Sequence, residues 1–499
     1  MRFMSYKPLL VVQQNHLRCE SVLARAFSVA IVGSGPAGFY CAASIARALP
    51  NAGIDVLEKL PVPFGLLRFG VAPDHPEVKN TEHTFEKLMN SNRDRLRFFG
   101  NVNVGVDVSV NELCQIYDCI ILAYGCQIEK QLQISHAIST ANVFSARRFV
   151  GWYNGTQTDA NLQPLLDAEV AVVLGHGNVA LDVARILLKP VGLLKKTDIC
   201  EHALETLSRS RIKRVQLVGR RGPLQVSFTI KELREMIVGI RNCAPKFCLS
   251  DFPNAAKEPT FTDQLPRSRR RLIKLMLDTA QKYRSVDFAS NNDRTWDLLC
   301  FRTPESIDLS SDGRVVSMQF RINELDAEQA DFSDCTSWNV RPTEAVEKIP
   351  CGLVISSIGY QSCPIDSTLP FDSKRNILKV NSRGLVEEFD SDTNCTVYAC
   401  GWCARGPSGV LNTTQMDASV VARAVIDDLN NRNCNTYESN QVNAKSNALD
   451  NILMRKRVRY VSWDNWCSID AFEIAQGAKV GKPREKIVSL EKILQICGK

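Results

Sequence analysis

The sequence lacks any apolar run near the ~20 residues that a membrane-spanning helix requires, so nothing in it demands insertion into a bilayer. It also lacks a strong charge of one sign. Its 61 basic and 54 acidic residues leave a net charge of +7, too mild for a general nucleic-acid binder, though compatible with a local basic patch. Its 18 cysteines show neither an iron–sulfur spacing nor a disulfide framework, which argues against a resident cluster and suits a reducing compartment. With 499 residues the chain can bury several cores without staples.

Residues 1–26 hold Arg2, Lys7, Arg18 and Arg25 against the single acid Glu20, with a short apolar run at Leu9–Val12. That composition predicts a mitochondrial targeting peptide, and the apolar run is too short for a secretory signal. The remainder reads as α/β, because two strand–glycine–helix units stand out. In the first, the β-rich run Phe27–Val32 leads into Gly33-Ser-Gly35-Pro-Ala37-Gly38, then a helical pattern, then a strand at Ile54–Leu57 that ends at Glu58. In the second, Val170–Leu174 leads into Gly175-His176-Gly177-Asn178-Val179-Ala180 and an amphipathic helix, then a strand at Arg214–Val218 that ends at Gly219-Arg220-Arg221. Further strand patterns fall at Gly352–Ile358 and Thr396–Cys400, and a helix ends near Leu429.

Each glycine in these loops has a task. The first turns the chain sharply out of the strand, the second lets backbone approach a pyrophosphate, and the third lets the helix pack on the sheet. The helix N-terminus then offers free N–H groups to the phosphates. What closes the next strand separates the two sites. Glu58 can accept hydrogen bonds from ribose hydroxyls and repels a 2′-phosphate, so the first site suits FAD or NAD. Arg220 and Arg221 can pair with a phosphate, so the second suits NADP. An arginine pair on its own is an ordinary solvated strand end; the glycine loop upstream raises the NADP reading. An acid-closed site and an arginine-closed site in one chain imply hydride transfer from NADPH to FAD, with the chemistry carried by the cofactors.

The electron acceptor is harder to read. A flavin disulfide reductase places a redox cysteine pair beside its flavin, yet Cys41 stands alone after the first glycine loop. One Cys-x-x-Cys spacing exists, Cys400-Gly-Trp-Cys403, and an NADPH-dependent disulfide reductase using that pair is the alternative reading. A one-electron protein carrier is the main one. Arg267, Arg269, Arg270, Arg271 and Lys274 could steer an acidic partner. Arg455, Lys456, Arg457 and Arg459 read as a solvated face.

Several stretches are similar to the adrenodoxin reductases. They are Gly33–Tyr40, Pro61–Lys79 (PVPFGLLRFGVAPDHPEVK), Phe149–Asn154, Gly175–Leu188, Val218–Met236 (VGRRGPLQVSFTIKELREM), Gly401–Thr414 and Gly481-Lys-Pro-Arg-Glu-Lys. The resemblance implies two Rossmann-like domains, with an FAD domain (27–135 and 356–499) interrupted by an NADP domain (136–355). It implies a small acidic [2Fe-2S] ferredoxin as acceptor, in the mitochondrial matrix, with a peripheral inner-membrane contact left open and a monomer expected. Carried over by motif, Ala37, Glu58, Leu66, Val102, Trp402 and Gly409–Leu411 (with Val410) would contact FAD. His176–Val179, Arg220, Arg221, Glu232 and Gly409 would contact NADP. Arg234 and Arg267–Arg271 would dock the ferredoxin, and His75 and Asp182 would meet near the flavin. This chain departs from the family at His176, where glutamine is usual and where imidazole predicts pH-dependent NADP binding. It also departs at Cys400 and Cys403, which the family lacks, and at Ser268, where proline is common.

Overall fold

The computed structural model describes residues 27–134, 141–240, 242–253, 263–283, 294–326, 338–389, 393–432 and 447–498. The targeting segment expected at 1–26 lies outside them.

Two parallel sheets organise the chain. The first has five strands in the order Thr396–Ala399, Cys119–Leu122, Ser28–Val32, Gly53–Glu58, Leu96–Gly100. The second has six, in the order Val143–Ser145, Leu353–Ser356, Val170–Leu174, Arg214–Val218, Arg294–Leu299, Cys243–Phe247. Strands buried on both faces read as continuous apolar runs. Val29–Val32 and Ala171–Leu174 do so, and all are buried. The chain leaves the first sheet after Leu122 and returns to it at Thr396, so the second sheet is inserted in the first. A three-stranded antiparallel sheet (Arg302–Leu309, Val315–Leu325, Val340–Pro350) is appended to the insertion. The α/β architecture with two dinucleotide-binding units is as the sequence predicts; the appended sheet is additional. The late helix, Leu411–Arg432, runs three residues past the expected end at Leu429. Among the described residues no helix is long and apolar enough to cross a membrane.

The Pro61–Lys79 stretch forms the seam between the two units. Asn154 donates through Nδ2 to the carbonyls of Phe69 (3.0 Å) and Val71 (3.1 Å). Asp74 accepts from Arg185 Nε (2.8 Å) and from Lys189 Nζ (2.7 Å). Lys79 reaches Asp198 at 2.7 Å. Arg185 has no exposed side-chain surface and Asp74 only 3%, so these pairs are desolvated and fix the relative position of the units.

Candidate functional site

Both glycine loops end on helices that start at a glycine with no side-chain cap. Gly35 precedes Pro36–Ala48 and Gly177 precedes Asn178–Leu188. Pro36 has no N–H and Ala180 N–H bonds the Gly177 carbonyl at 3.1 Å, which leaves the N–H groups of Ala37 and of Asn178 and Val179 as the helix starts' donors to a phosphate. Space is left where a pyrophosphate would lie, because a Cβ built on Gly35 or Gly177 meets nothing within 4 Å. The other glycines are tight. Gly33 has φ +110 and its Cβ would fall 2.5 Å from the Ala123 carbonyl oxygen. A Cβ on Gly38 would run into the Gly33 carbonyl oxygen. Gly38→Ala is therefore expected to force the helix off the loop and lower bound FAD per chain roughly tenfold or more. Flavin absorbance of the purified variant checks this, and wild-type flavin content would remove the argument.

The candidate FAD residues converge on the first loop. A Cβ on Gly65 would lie 3.3 Å from Gly35 Cα, so Leu66 begins its turn beside the loop. A Cβ on Gly401 would lie 2.8 Å from Ala37 Cβ, which brings Trp402 to the same place. Gly409 (φ +84) and Val410 are exposed just before the helix that starts at Leu411. Glu58 closes the second strand as expected, but it also accepts from Ser34 N–H (2.9 Å), Ser34 hydroxyl (2.7 Å) and Leu60 N–H (2.9 Å). Those bonds orient the carboxylate and leave it part of its acceptor capacity for a ribose. Val102 is buried and its N–H donates to the Glu58 carbonyl, so that N–H is not free for a ligand.

At the second loop, Asn178 Oδ1 accepts from Thr229 N–H at 2.9 Å. Gly175 has φ +125 and packs on the Ser357 carbonyl. Arg220 is exposed and Arg221 half-buried, and neither meets a carboxylate at ion-pair distance among the described residues. Burial, then the like charges of Arg220 and Arg269, lower the pKa of Arg221. Glu232 has a buried Oε2 without a hydrogen-bond partner, which fits a donor from a ribose. Such an orphaned acceptor otherwise carries a desolvation cost.

His176 differs from expectation. Its ring turns inward: Nε2 lies 3.1 Å from the Leu217 carbonyl, and a Cβ on Gly219 would strike it at 2.5 Å. Burial pushes its pKa down to about 4. A neutral ring donating to a carbonyl does not titrate near pH 7, so the pH-dependent grip predicted for it has no basis in this geometry. The His176 carbonyl serves the fold, accepting from Ser227 (2.8 Å) and Phe228 (3.1 Å).

His75 and Asp182 do lie across the seam from one another, close enough that each charge acts on the other's pKa. The direct partner of His75 is Glu235, at 2.9 Å, a residue the sequence reading passed over although it sits inside the Val218–Met236 stretch. Burial is the largest influence on His75 and works downward, as does the Arg185 charge. The Glu235 hydrogen bond and the charges of Asp182 and Glu235 outweigh them, and its pKa is raised.

The basic cluster is split. Arg267, Arg271 and Lys274 are exposed, as is Arg234. Arg270 pairs with Asp263 at 2.9 Å, and Arg269 turns toward the second loop. In the other basic cluster Lys456 pairs with Glu112 at 2.7 Å. The cysteine pair is not disposed for dithiol chemistry. Cys400 faces Cys41, Sγ to Sγ at 3.5 Å, while Cys403 donates to the carbonyls of Leu122 and Cys400. Cys400 and Cys403 are buried. Burial raises the Cys403 thiol, and the Cys41 hydrogen bond with burial raises Cys400. Nucleophilic thiols need the opposite shift.

The NAD(P)-binding Rossmann-like domain family matches residues 31–101. The mitochondrial NADPH:adrenodoxin oxidoreductase of Drosophila melanogaster is 41% identical, over 94% of this chain and 93% of its own. The Homo sapiens protein of that name is 42% identical, over 94% and 92%. FprA from Mycobacterium tuberculosis, solved in complex with NADPH, superposes with a TM-score of 0.83 at 34% identity, over 95% of this chain and 100% of its own. Fold and site together define a two-dinucleotide oxidoreductase. Within that class, the chain belongs to the NADPH:adrenodoxin oxidoreductase family.

Proposed function

We propose that the chain takes hydride from NADPH at the second glycine loop onto FAD at the first, and passes single electrons to a small acidic [2Fe-2S] ferredoxin in the mitochondrial matrix. The observation that carries the reading is the pair of loops itself: one closed by Glu58, the other by Arg220 and Arg221, which meet no carboxylate among the described residues, held across a desolvated seam. FAD, when bound, supplies a two-electron acceptor that can release electrons one at a time. Gly35 would admit its pyrophosphate, with Gly33 and Gly38 shaping the loop, Glu58 would hold its ribose, Leu66 would contact it, and Trp402 and Gly409–Leu411 would lie at its ring. Gly177–Val179 would admit the NADP pyrophosphate through backbone N–H groups, Arg220 and Arg221 would take the 2′-phosphate, and Glu232 would take a ribose hydroxyl. The seam keeps the two cofactors in register, which is the protein's share of the catalysis.

The acceptor reading is supported by family membership and by the exposed Arg234, Arg267, Arg271 and Lys274, which suit an acidic docking face. The experiment is NADPH-dependent cytochrome c reduction by the FAD-loaded protein, with and without an acidic [2Fe-2S] ferredoxin, at low and high salt. The expected result is strong dependence on ferredoxin, weakened by salt, with NADPH far better than NADH. Flavin reduced by NADPH without any gain from the ferredoxin would leave the cofactor sites standing and remove the acceptor.

A further inference from the structure

We propose that Arg269 is a third cation of the 2′-phosphate pocket, and so a determinant of NADP over NAD, rather than part of the carrier-docking face. This rests on the reading that NADP occupies the second glycine loop.

Helix periodicity divides the basic cluster. In the helix Arg267–Lys282 the inward positions are Leu272, Ile273, Met276 and Ala280. Arg269 precedes Leu272 by three residues and Ile273 by four, so it lies on their face. Arg267, Arg271 and Lys274 lie elsewhere on the helix and are exposed, whereas Arg269 is half-buried. Its Nη1 donates to the Val226 carbonyl at 2.8 Å.

Val226 is a telling anchor. It ends the short turn Pro223–Gln225, which starts one residue after the Arg220-Arg221 pair. The next two N–H groups, of Ser227 and Phe228, bond the His176 carbonyl of the glycine loop. Arg269 is thus tied to the strip of chain that joins the arginine pair to the pyrophosphate loop. It is also near enough to Arg221 to depress that group's pKa.

Among the described residues, no carboxylate lies within ion-pair distance of Arg220, Arg221 or Arg269. Cations gathered without an anion repel one another, and the repulsion is relieved when a polyanion arrives. A phosphomonoester presents three acceptor oxygens and close to two charges, which suits several guanidinium groups at once. Arg269 spends one N–H on Val226 and keeps four for a ligand.

The test uses the FAD-loaded protein and three titrants: NADP+, 2′,5′-ADP and NAD+, followed by calorimetry. Arg269→Gln is the main variant, because its amide can still donate to Val226 while the charge is gone. Arg269→Lys restores charge without the fork, and Arg221→Gln is the reference for the pocket. For Arg269→Gln the expected result is NADP+ and 2′,5′-ADP bound about tenfold or more weakly. NAD+ affinity should be unchanged, NADP+ affinity should be partly restored in Arg269→Lys, and the salt slope of ferredoxin-dependent turnover at saturating NADPH should be unaltered. If Arg221→Gln weakens NADP+ while Arg269→Gln does not, or if Arg269→Gln changes the salt slope instead, the inference about Arg269 is wrong and the NADP site stands. If neither variant affects NADP+, the assignment of that loop to NADP is what fails.

Discussion

Replacing Asp198 with alanine is expected to destabilise the fold by roughly 3–5 kcal/mol at neutral pH, because it strands two buried lysines. Asp198 receives Lys79 Nζ at 2.7 Å and Lys486 Nζ at 2.8 Å. The side chains are 12%, 11% and 0% exposed for Asp198, Lys79 and Lys486. Burial works to raise the Asp198 pKa, but the two ammonium groups win and hold it well below the usual carboxylate range. Its stabilisation is therefore fully present above the unfolded value and is lost as pH falls through the depressed folded one. Lys79 has a linkage slope of the same sign in an alkaline window. Burial, then repulsion from Lys486, brings its pKa from 10.5 down to about 8. Between those values the unfolded chain binds more protons, so stability rises with pH across that window. Without Asp198, the Glu82 charge opposes the repulsion only weakly, and the rise starts lower. Urea unfolding of wild type and variant at neutral and mildly alkaline pH measures both effects. Equal midpoints, with equal dependence on pH, would show that the two lysines find solvent and that the pair does not fix the seam.

What was legible in the sequence was the local chemistry. A glycine loop, its helix start and the residue that closes the next strand lie within a few tens of residues, and each type has a task that spacing alone reveals. Glu58, Arg220 and Arg221 were found this way and stand at their strand ends. Residues whose role depends on a distant partner were not legible. His176 reads as a phosphate ligand by position, but the space at Gly219 and the Leu217 carbonyl, on the next strand, capture its ring. Glu235 had no signal until His75 arrived 160 residues away in sequence. The split of Arg267–Arg271 was legible after all: Leu272, Ile273 and Met276 state the inward face of that helix, and Arg269 falls on it.

Two stretches recognised as motifs also hold the two units together. Pro61–Lys79 supplies Asp74, His75 and Lys79 to the seam. The Gly481-Lys-Pro-Arg-Glu-Lys segment closes the other side. Lys482 pairs with Glu485 and reaches Glu201 at 3.5 Å, Arg484 pairs with Asp470, and Lys486 pairs with Asp198. Each of these cations comes from the chain's last twentieth, and two of them reach the inserted unit through Glu201 and Asp198. The C-terminal segment is thus a clasp, and its composition follows from that. Lysine and arginine stems can cross an apolar interface and still present a charge to a buried acid.

The strongest single link in the clasp is Glu473, and Glu473→Ala is expected to cost roughly 3–5 kcal/mol. Glu473 has no exposed surface. It accepts two bonds from Arg68 Nη2, at 2.7 and 2.6 Å, one from Ile487 N–H at 2.9 Å and a longer contact from Arg484 at 3.3 Å. Removing it leaves Arg68 without its ion-pair partner, with the rings of Phe69 and Trp466 at 5.2 and 5.1 Å from its guanidinium and the buried Glu82 acting on it through charge. Cation–π contact is worth about 2 kcal/mol or somewhat more when desolvated, which offsets only part of the loss of the carboxylate. Arg484 keeps Asp470 and adds little to the loss. The consequence reaches the cofactor, because Arg68 belongs to the turn Leu66–Phe69 that starts beside Gly35. Glu473→Ala should therefore lose flavin as well as stability, whereas a surface ion pair such as Arg93–Asp464 should do neither when broken. The double variant Arg68→Met with Glu473→Leu separates charge from packing. If the cost is a stranded charge, the double variant regains much of the stability lost in Glu473→Ala. If it is as unstable as the single one, then shape at the Leu66–Phe69 turn, not electrostatics, is what holds the FAD side of the clasp together.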